Sequence, residues 1–401
     1  MNRDNFQPAE DNQPVIVAAY RTPVGRAYGA LSSLSLSELL APLFGKIGAD
    51  ARFCADQVDE VIIGNATGGG GNIARLAALS AGLPLSIPAV TVDRQCGAGL
   101  EAVMQACRLI QAQAGDCYLA GGVESVSTAP WRVEKPATAK QLPRFFSRAQ
   151  FSPEEIGDPE MGVAAENVAS KYGISRERQD AFALRSHQRA VAAQQNGLFN
   201  AELVPLRAGE QWVNQDECPR PATSLEKLAA LPAAFVAQGS VTAGNCCPLN
   251  DGAALVLIMS RRKAREAGFS SGLQFVDGCS AGVDPHYLGI GPVPATQKLM
   301  QRQQMADLSD VGLIEFNEAF ASQVLASLDL LGVDEQRVNQ QGGAIALGHP
   351  YGASGAILVT RLFHQRAGSG ENSAYALAML GIAGGLGLSA LFKHVELVPT
   401  A

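Results

Sequence analysis

The stretch Thr91-Val-Asp-Arg-Gln-Cys-Gly-Ala-Gly-Leu100 joins two elements of different periodicity and places a cysteine at their junction. An apolar run from Ile87 to Val92 predicts a strand before the cysteine. After it, apolar residues recur at helical spacing and predict a helix with one apolar face: Leu100, Val103, Met104, Cys107 and Ile110. Strands that alternate with helices are typical of an α/β fold. Because 401 residues exceed a single ordinary core, we expect two domains or one duplicated domain.

Cys96 is the candidate nucleophile. A thiol at the start of a helix lies at the positive end of the helix dipole, which lowers its pKa and favours the thiolate. Gly97 and Gly99 allow a tight turn and the close approach of a substrate. Since most cysteines are buried structural residues, that reading stays open beside the catalytic one.

The bulk composition excludes several classes of protein. A hydrophobic content of 47% with 17% charged residues indicates a well-packed globular chain. A net charge of -7 without a basic cluster argues against nucleic-acid binding. No apolar stretch of membrane-spanning length and no signal pattern is visible, so we expect a cytoplasmic protein without a membrane partner. The eight cysteines form no CxxC pairs, which predicts no metal site and a reducing compartment.

The second half of the chain echoes the first. The loop from Gly348 to Ala356, followed by a helical pattern, parallels the Cys96 loop and its helix. The segment from Tyr375 to Gly387 parallels the predicted strand from Cys117 to Ser125. Between the halves, residues 127–240 are rich in proline and charge and predict a mostly helical insertion. An internal duplication would place equivalent loops of both halves at one shared site.

Two side chains of the second half could join Cys96 there. His349 stands in a Gly-His-Pro turn at the position that corresponds to Cys96, and a cysteine–histidine pair can generate a thiolate. Asn317 follows a predicted buried strand and could hold a water or donate to an oxyanion. A structural histidine and a helix N-cap asparagine are the alternatives.

Taken together, these segments resemble the thiolase family of acyl-CoA C-acyltransferases. The motifs that carry the resemblance extend from about Pro14 to Phe392: Arg21-Thr-Pro-Val-Gly25, Arg94-Gln-Cys-Gly-Ala-Gly99, Ala120-Gly-Gly-Val-Glu-Ser125, Met161-Gly-Val-Ala-Ala-Glu-Asn167, Thr242-Ala-Gly-Asn245, Asn250-Asp-Gly-Ala253, Gly291-Pro-Val-Pro-Ala295, Asn317-Glu-Ala-Phe-Ala321 and Gly342-Gly-Ala-Ile-Ala-Leu-Gly-His-Pro350. The resemblance implies a five-layer αβαβα fold with two similar halves. We predict an N-terminal half at 13–268, which includes the insertion, and a C-terminal half at 269–394.

The resemblance also implies roles for the candidate residues. Cys96 would take an acyl group from a coenzyme A (CoA) thioester, and His349 would help to deprotonate it. One oxyanion hole would combine His349 with a water held by Asn317. A second would use the backbone amides of Cys96 and Ala383. Donors of this kind typically contribute a few kcal/mol each to lowering a barrier.

CoA would be bound as a substrate thioester and not as a permanent cofactor. Arg220 would lie near its nucleotide, and the remaining contacts would be Met161, Phe235, Ala243, Cys247, Ala319 and Phe320. The family context is fatty acid or ketone metabolism. We expect a homodimer, with a homotetramer as the alternative, because the segment from Trp131 to Glu160 departs from the pattern of family tetramers.

The chain departs from the family at the second catalytic cysteine. The family carries this acid/base residue as Cys-x-Gly in the last glycine-rich loop, where this chain has Gly381 and Ala383. Some relatives supply the cysteine from the loop that here places Ala319. Glycine and alanine cannot exchange protons, so the usual carbon–carbon step lacks its base. Cys247 replaces a serine that often lies against CoA, and Glu160 replaces a histidine of many biosynthetic relatives.

Three hypotheses follow. The chain could transfer acyl groups through Cys96 to a still unidentified acceptor that needs no cysteine base, or to one whose decarboxylation supplies the carbanion. It could be a slow conventional acetyl-CoA acetyltransferase in which His349, a water or Cys247 serves as the base. It could also hydrolyse acyl-CoA, or bind it as a non-catalytic subunit.

Overall fold

The computed structural model describes residues 9–146, 148–365 and 375–397. The described strands are β1 Pro14–Arg21, β2 Gly25–Arg26, β3 Glu60–Gly64, β4 Ala89–Val92, β5 Cys117–Ser125, β6 Arg132–Glu134, β7 Arg144–Phe146, β8 Leu206–Ala208, β9 Gln211–Val213, β10 Asn250–Ser260, β11 Ser271–Gly282, β12 Val311–Phe316, β13 Tyr375–Ile382 and β14 Leu386–Glu396. The described helices are α1 Leu36–Gly48, α2 Ile73–Ser80, α3 Ala98–Gln111, α4 Met161–Tyr172, α5 Arg176–Gln195, α6 Leu225–Ala229, α7 Arg261–Glu266, α8 Pro292–Gln303, α9 Ala321–Leu331, α10 Ala344–Leu347 and α11 Tyr351–His364.

The central feature is a mixed ten-stranded sheet that contains the same arrangement twice. Its order is β12-β13-β14-β11-β1-β10-β5-β3-β4, with β2 paired to β10. In the first half β3 and β5 are parallel, and β5, β10 and β1 then pair antiparallel. In the second half β12 and β13 are parallel, and β13, β14 and β11 pair antiparallel. This repeat confirms the predicted duplicated α/β fold, whereas the domain boundary at 268–269 stays a prediction.

Three apolar clusters separate the sheet halves and the helices into layers. The first packs α1 and α2 against one face of the N-terminal half. The second places α3 and α11 between the two halves of the sheet. The third packs α8 and α9 against the outer face of the C-terminal half. The resulting helix–sheet–helix–sheet–helix order confirms the predicted five-layer architecture.

The two central helices cross where both sequences carry glycines. A Cβ on Gly99 would lie only 2.6 Å from the Gly352 carbonyl oxygen, and one on Gly355 would lie 2.6 Å from Leu100 Cβ. Glycine therefore lets the helix backbones approach each other closely. The close crossing brings together the starts of α3 and α11, which follow the Cys96 turn and the His349 loop.

The insertion between β5 and β10 carries α4, α5 and α6, as the sequence predicts, and also two short hairpins that it does not predict, β6–β7 and β8–β9. Ser175 caps α5 by accepting a hydrogen bond from the Arg178 amide. The segment from Tyr375 to Gly387, which parallels β5 in the sequence, contains β13 and the start of β14, separated by a turn with positive φ at Gly384 and Gly385. In the described part of the chain, no helix is long and apolar enough to cross a membrane.

Candidate active site

Cys96 lies in a short 3-10 turn, Gln95–Gly97, directly before α3. The preceding residue, Gln95, has a left-handed φ of 46°. Its amide is tied to Asp93 Oδ1 at 2.8 Å, which holds this uncommon backbone conformation. Such conformations persist where the surrounding structure fixes them, and they cluster at functional sites.

The Cys96 thiol is not ionised in the free protein. Burial raises the pKa of Cys96 to about 12, while backbone hydrogen bonds from Ala383 and from Cys96 itself oppose that rise in part. The predicted lowering of this pKa by the helix dipole is therefore wrong for the free protein. Desolvation outweighs the dipole because the thiol sits against the inner apolar cluster, two residues ahead of the first residue of α3.

His349 is buried, and its hydrogen bonds define which ring nitrogen is free. Ser354 Oγ lies 2.6 Å from His349 Nδ1 and donates its own proton to the Pro350 carbonyl at 3.0 Å. The hydroxyl must therefore accept from Nδ1–H, which leaves the Nε2 lone pair exposed to the site. Burial lowers the pKa of His349 to about 3, so the ring is neutral at physiological pH.

Asn317 faces that free nitrogen. Its Nδ2 lies 3.4 Å from His349 Nε2, and its backbone amide donates to the Met379 carbonyl at 3.0 Å. The helix that follows begins only at Ala321, so Asn317 does not serve as its N-cap. The predicted proximity of Asn317 and His349 is present in the structure.

Tyr351 lies between the two halves of the site. Its ring packs edge-on against the His349 ring with centroids 5.2 Å apart. Burial raises the pKa of the Tyr351 phenol, and charge on Cys247 or Cys96 would raise it further. Tyr351 therefore neighbours the histidine and both thiols, so Cys96, Cys247 and His349 belong to one site.

Gly381 differs from the glycines that follow it. Gly384 and Gly385 have φ of 75° and 79°, which L side chains rarely adopt, whereas Gly381 has no positive φ. A Cβ on Gly381 would lie 3.3 Å from the Gly289 carbonyl oxygen and 3.5 Å from Gln323 Nε2, so a small side chain fits after a slight adjustment. The absence of a thiol here is therefore not imposed by the backbone.

A cleft of about 470 Å³ lies in the insertion beside this site. Its walls include Arg220, Lys227 and Ala243, with Cys246 and Ile345 toward the candidate nucleophile. The two cations suit a phosphorylated ligand. Of the cysteine pair, Cys246 lines this cleft, while Cys247 lies on the Cys96 side.

The other predicted CoA contacts lie on loops and helix ends around the same region. The Phe235 ring packs edge-on against Phe320 with centroids 6.1 Å apart, and it covers Gly162 so closely that no side chain fits there. Met161 is the first residue of α4, directly before that glycine. Ala319 accepts a backbone hydrogen bond from Cys247 at 3.0 Å.

Several buried polar groups that support the site escaped the sequence reasoning. Asn250 Oδ1 accepts from the His349 amide at 2.8 Å. Glu318 accepts from Ser186, Asn339 and the Ile345 amide, and burial raises its pKa. Ser354 had a detectable signal, because it stands five residues after His349 within the same glycine-rich motif.

The fold and the site together define a class: a duplicated α/β protein in which a partly buried cysteine and a buried, neutral histidine precede the starts of two central helices that cross. Family models described as "Thiolase, N-terminal domain" and "Thiolase, C-terminal domain" match residues 14–262 and 273–394. The chain belongs to the thiolase family.

Relatives and solved structures agree with this assignment. The chain is 47% identical over 384 residues to a Staphylococcus epidermidis protein named "Putative acetyl-CoA C-acetyltransferase VraB", a match that covers 95% of this chain and 98% of the relative. A crystal structure of the Bacillus anthracis acetyl-CoA acetyltransferase superposes with a TM-score of 0.89 at 36% identity, covering 96% and 99% of the two chains. Human mitochondrial 3-ketoacyl-CoA thiolase in complex with CoA gives 0.89 at 34% identity, covering 97% and 100%.

Among the residues that the structure describes, no group of three or more histidine, cysteine or acidic side chains is placed to hold a metal ion.

Proposed function

We propose that this protein is an acyltransferase that takes an acyl group from a CoA thioester onto Cys96 and passes it to an acceptor that needs no cysteine base. The observation that carries the proposal is the hydrogen-bond pattern of His349. Its Nδ1–H is committed to Ser354, so Nε2 is left as a base inside a site that also holds Cys96.

Acylation would proceed by a proton transfer coupled to attack. Because the thiol and the imidazole are both neutral, His349 Nε2 accepts the Cys96 proton as the sulfur attacks the thioester carbonyl. A bond forms between Cys96 Sγ and the acyl carbon, and the bond from that carbon to the CoA sulfur breaks. The imidazolium then protonates the departing CoA thiolate, which restores neutral His349.

Two sets of donors are available for the oxyanions. Asn317 beside His349 would hold a water. This water and His349 would together stabilise the oxyanion of the CoA thioester. The Ala383 amide, which donates to the Cys96 sulfur in the free protein, would serve the carbonyl of the acylated cysteine together with the Cys96 amide. Such donors need no reorganisation at the moment of reaction.

CoA itself would occupy the cleft of the insertion. Arg220 and Lys227 would pair with its phosphates, and Ala243 and Cys246 would line the path toward the nucleophile. Phe235, Phe320 and Met161 would enclose the pantetheine, with Ala319 and Cys247 at its reactive end. CoA then acts as a substrate and leaves after each turnover.

The residues available for the second half-reaction support a non-standard acceptor. Neither Gly381 nor Ala319 can take an α-proton, and burial raises the pKa of Cys247 well above its usual value, which disfavours it as a thiolate base. An acceptor that already carries a nucleophile avoids this need. So does a β-carboxy thioester, which loses CO₂ to give an enolate that attacks the acyl group and releases Cys96.

The names of the relatives favour a second candidate function. Proteins named as acetyl-CoA C-acetyltransferases are 47% identical to this chain. A slow conventional condensation of two acetyl-CoA molecules, with His349 or a water as the base, is therefore the competing function.

We also propose that the protein is a homodimer in the cytoplasm, with a homotetramer as the alternative. The exposed side chains of Trp131 and Phe145, with rings 5.7 Å apart, lie in the segment where family tetramers touch, so they would favour the homotetramer alternative. The division into halves at 13–268 and 269–394 is part of the same proposal.

Intact-mass spectrometry after brief incubation with acetyl-CoA tests the first step. We expect one added acetyl group on the protein and none on a Cys96→Ala variant. A wild-type protein that stays unmodified with acetyl-CoA and with longer acyl-CoAs would overturn the proposal. Appearance of acetoacetyl-CoA at the rate of adduct formation would instead favour the competing condensation.

A further inference from the structure

Glu318 lies between the two segments that carry Asn317 and His349. The residue is 1% exposed and follows Asn317 directly in the chain. Its Oε1 accepts a hydrogen bond from Asn339 Nδ2 at 2.8 Å, and its Oε2 accepts one from the Ile345 amide at 3.1 Å. Ile345 belongs to α10, which ends two residues before His349. One buried carboxylate therefore connects the Asn317 segment to the helix that leads into His349.

Asn339 fixes the backbone on both sides of Asn317. Its Oδ1 accepts from the Phe316 amide at 2.8 Å, and its Nδ2 donates to the Phe316 carbonyl at 2.8 Å as well as to Glu318. Asn339 itself has a left-handed φ of 49°, a conformation that persists where the surrounding structure fixes it. Since Phe316 and Glu318 flank Asn317, one buried amide holds both neighbours of Asn317.

A third contact ties the same carboxylate to the insertion. Ser186 Oγ on α5 donates to Glu318 Oε2 at 2.6 Å and accepts from the Gly343 amide at 3.1 Å. Gly343 directly precedes α10, and a Cβ at this position would collide with the Glu318 carboxyl group. Glycine therefore lets the backbone approach the carboxylate closely. The start of α10 is held by Glu318 and Ser186 together.

We propose that Glu318 is a positioning residue that fixes the separation of Asn317 and His349, and with it the oxyanion site that these two side chains form. Asn317 Nδ2 and His349 Nε2 are 3.4 Å apart and come from the two segments that the carboxylate connects. The inference rests on the proposed function, because it requires that site to act on the CoA thioester. A displacement of about 1 Å at such a site can slow a reaction about 100-fold.

Glu318→Gln tests the role because it removes one acceptor at nearly constant size. Asn339 Nδ2 and the Ile345 amide can only donate, so the new amide group would face a donor in either orientation. The assay is the exchange of labelled CoA into acetyl-CoA. We expect kcat to fall about 10- to 100-fold and the KM for acetyl-CoA to change less than about threefold, because the affected contacts act on the reacting groups.

Glu166→Gln is the matched control. That carboxylate also accepts from one serine hydroxyl and two further N–H groups: the Ser240 hydroxyl, the Ser240 amide and the Val241 amide. None of these donors belongs to the segments that carry Asn317 and His349. We expect the kcat of this variant to stay within about threefold of the wild type.

A double-mutant cycle distinguishes positioning from a general structural role. If Glu318 acts through Asn317, Glu318→Gln should cost at least about fivefold less in an Asn317→Ala background than in the wild type. Ser186→Ala removes one donor from the same carboxylate and keeps the test available if Glu318→Gln does not fold. Its loss should be about 3- to 10-fold, and it should shrink in the same background.

Two results would overturn the inference alone. One is a folded Glu318→Gln variant with the kcat of the wild type. The other is an equal fold-loss with and without Asn317, for Glu318→Gln or for Ser186→Ala. A wild type that exchanges no CoA would overturn the proposed function and this inference with it.

Discussion

The two walls of the site, the His349 side and the Gly381 side, differ in the functional side chains that they carry and in how those side chains are held. On the His349 side, the ring, its loop and the neighbouring Asn317 are held by the hydrogen bonds that they donate to Ser354, Asn250 and the β13 backbone. On the Gly381 side, a strand position that could carry a side chain has none, and a buried amide donor lacks a partner among the described residues. We propose that the first wall is preorganised for acylation, whereas the second lacks a group that exchanges protons with carbon.

Of the changes that test this contrast, removal of the nucleophile should reduce CoA exchange the most. With Cys96→Ser, the exchange of labelled CoA into acetyl-CoA should fall by at least about 10³-fold, because a hydroxyl is a far weaker nucleophile than a thiol in this setting. Scintillation counting of the exchanged CoA measures the rate. A variant that keeps more than a tenth of the exchange would show that acyl transfer bypasses Cys96.

Removing the base should cost somewhat less and should change the pH dependence. For His349→Ala we expect exchange at pH 7 to fall about 10²- to 10⁴-fold. The wild-type rate should be flat from pH 5 to 9, because His349 is deprotonated above its pKa of about 3 and Cys96 stays protonated below about 12.

The variant should behave differently as the pH rises. Without the base, attack depends on the thiolate, whose fraction grows tenfold per pH unit below the pKa of the Cys96 thiol. Its exchange should therefore rise steadily between pH 7 and 9. A wild-type profile with a limb near pH 6.5, or a flat profile for the variant, would contradict the assignment of a neutral cysteine–histidine pair.

Ser354→Ala changes the His349 wall and should reduce CoA exchange less than the two preceding variants do. Loss of the acceptor for His349 Nδ1–H should let the ring change tautomer and slow exchange about tenfold. Thr360→Val is the control, because that buried hydroxyl on the same helix bonds only the Ala356 carbonyl. Equal losses in the two variants, measured with melting temperatures within about 2 °C of each other, would mean that the effect is structural.

The smallest effects concern stability and compare two neighbouring glycines. Gly385→Ala should lower the free energy of unfolding by about 1 to 3 kcal/mol, because a left-handed backbone and the nearby Val283 carbonyl both oppose a side chain. Gly381→Ala should change it by less than about 1 kcal/mol. Urea denaturation measures both. A larger loss at Gly381 would mean that glycine is needed there for folding.

Most of the fold was predictable because it repeats and because its strands and helices have clear periodicity. The duplication and the helix after Cys96 both follow from sequence patterns that the structure confirms. The short hairpins of the insertion and the turn within 375–387 were missed. Three-residue strands and glycine turns leave little periodic signal.

The candidate site was predictable as a set of residues but not as an electrostatic environment. His349 and Asn317 lie side by side as expected, whereas the joint catalytic role of Cys96, His349 and Asn317 stays a prediction. The predicted shift of the Cys96 pKa was wrong in direction, because desolvation depends on burial contributed by distant segments.

We propose that acylation is intact in this protein and that the carbon–carbon step lacks only a thiol. The most direct test measures CoA exchange and acetoacetyl-CoA formation side by side in the wild type and in Gly381→Cys, whose Cβ fits after a slight adjustment. We expect both proteins to exchange CoA at similar rates, and only the variant to form acetoacetyl-CoA at a rate comparable with its exchange. A wild type that condenses acetyl-CoA as fast as the variant would contradict the claim.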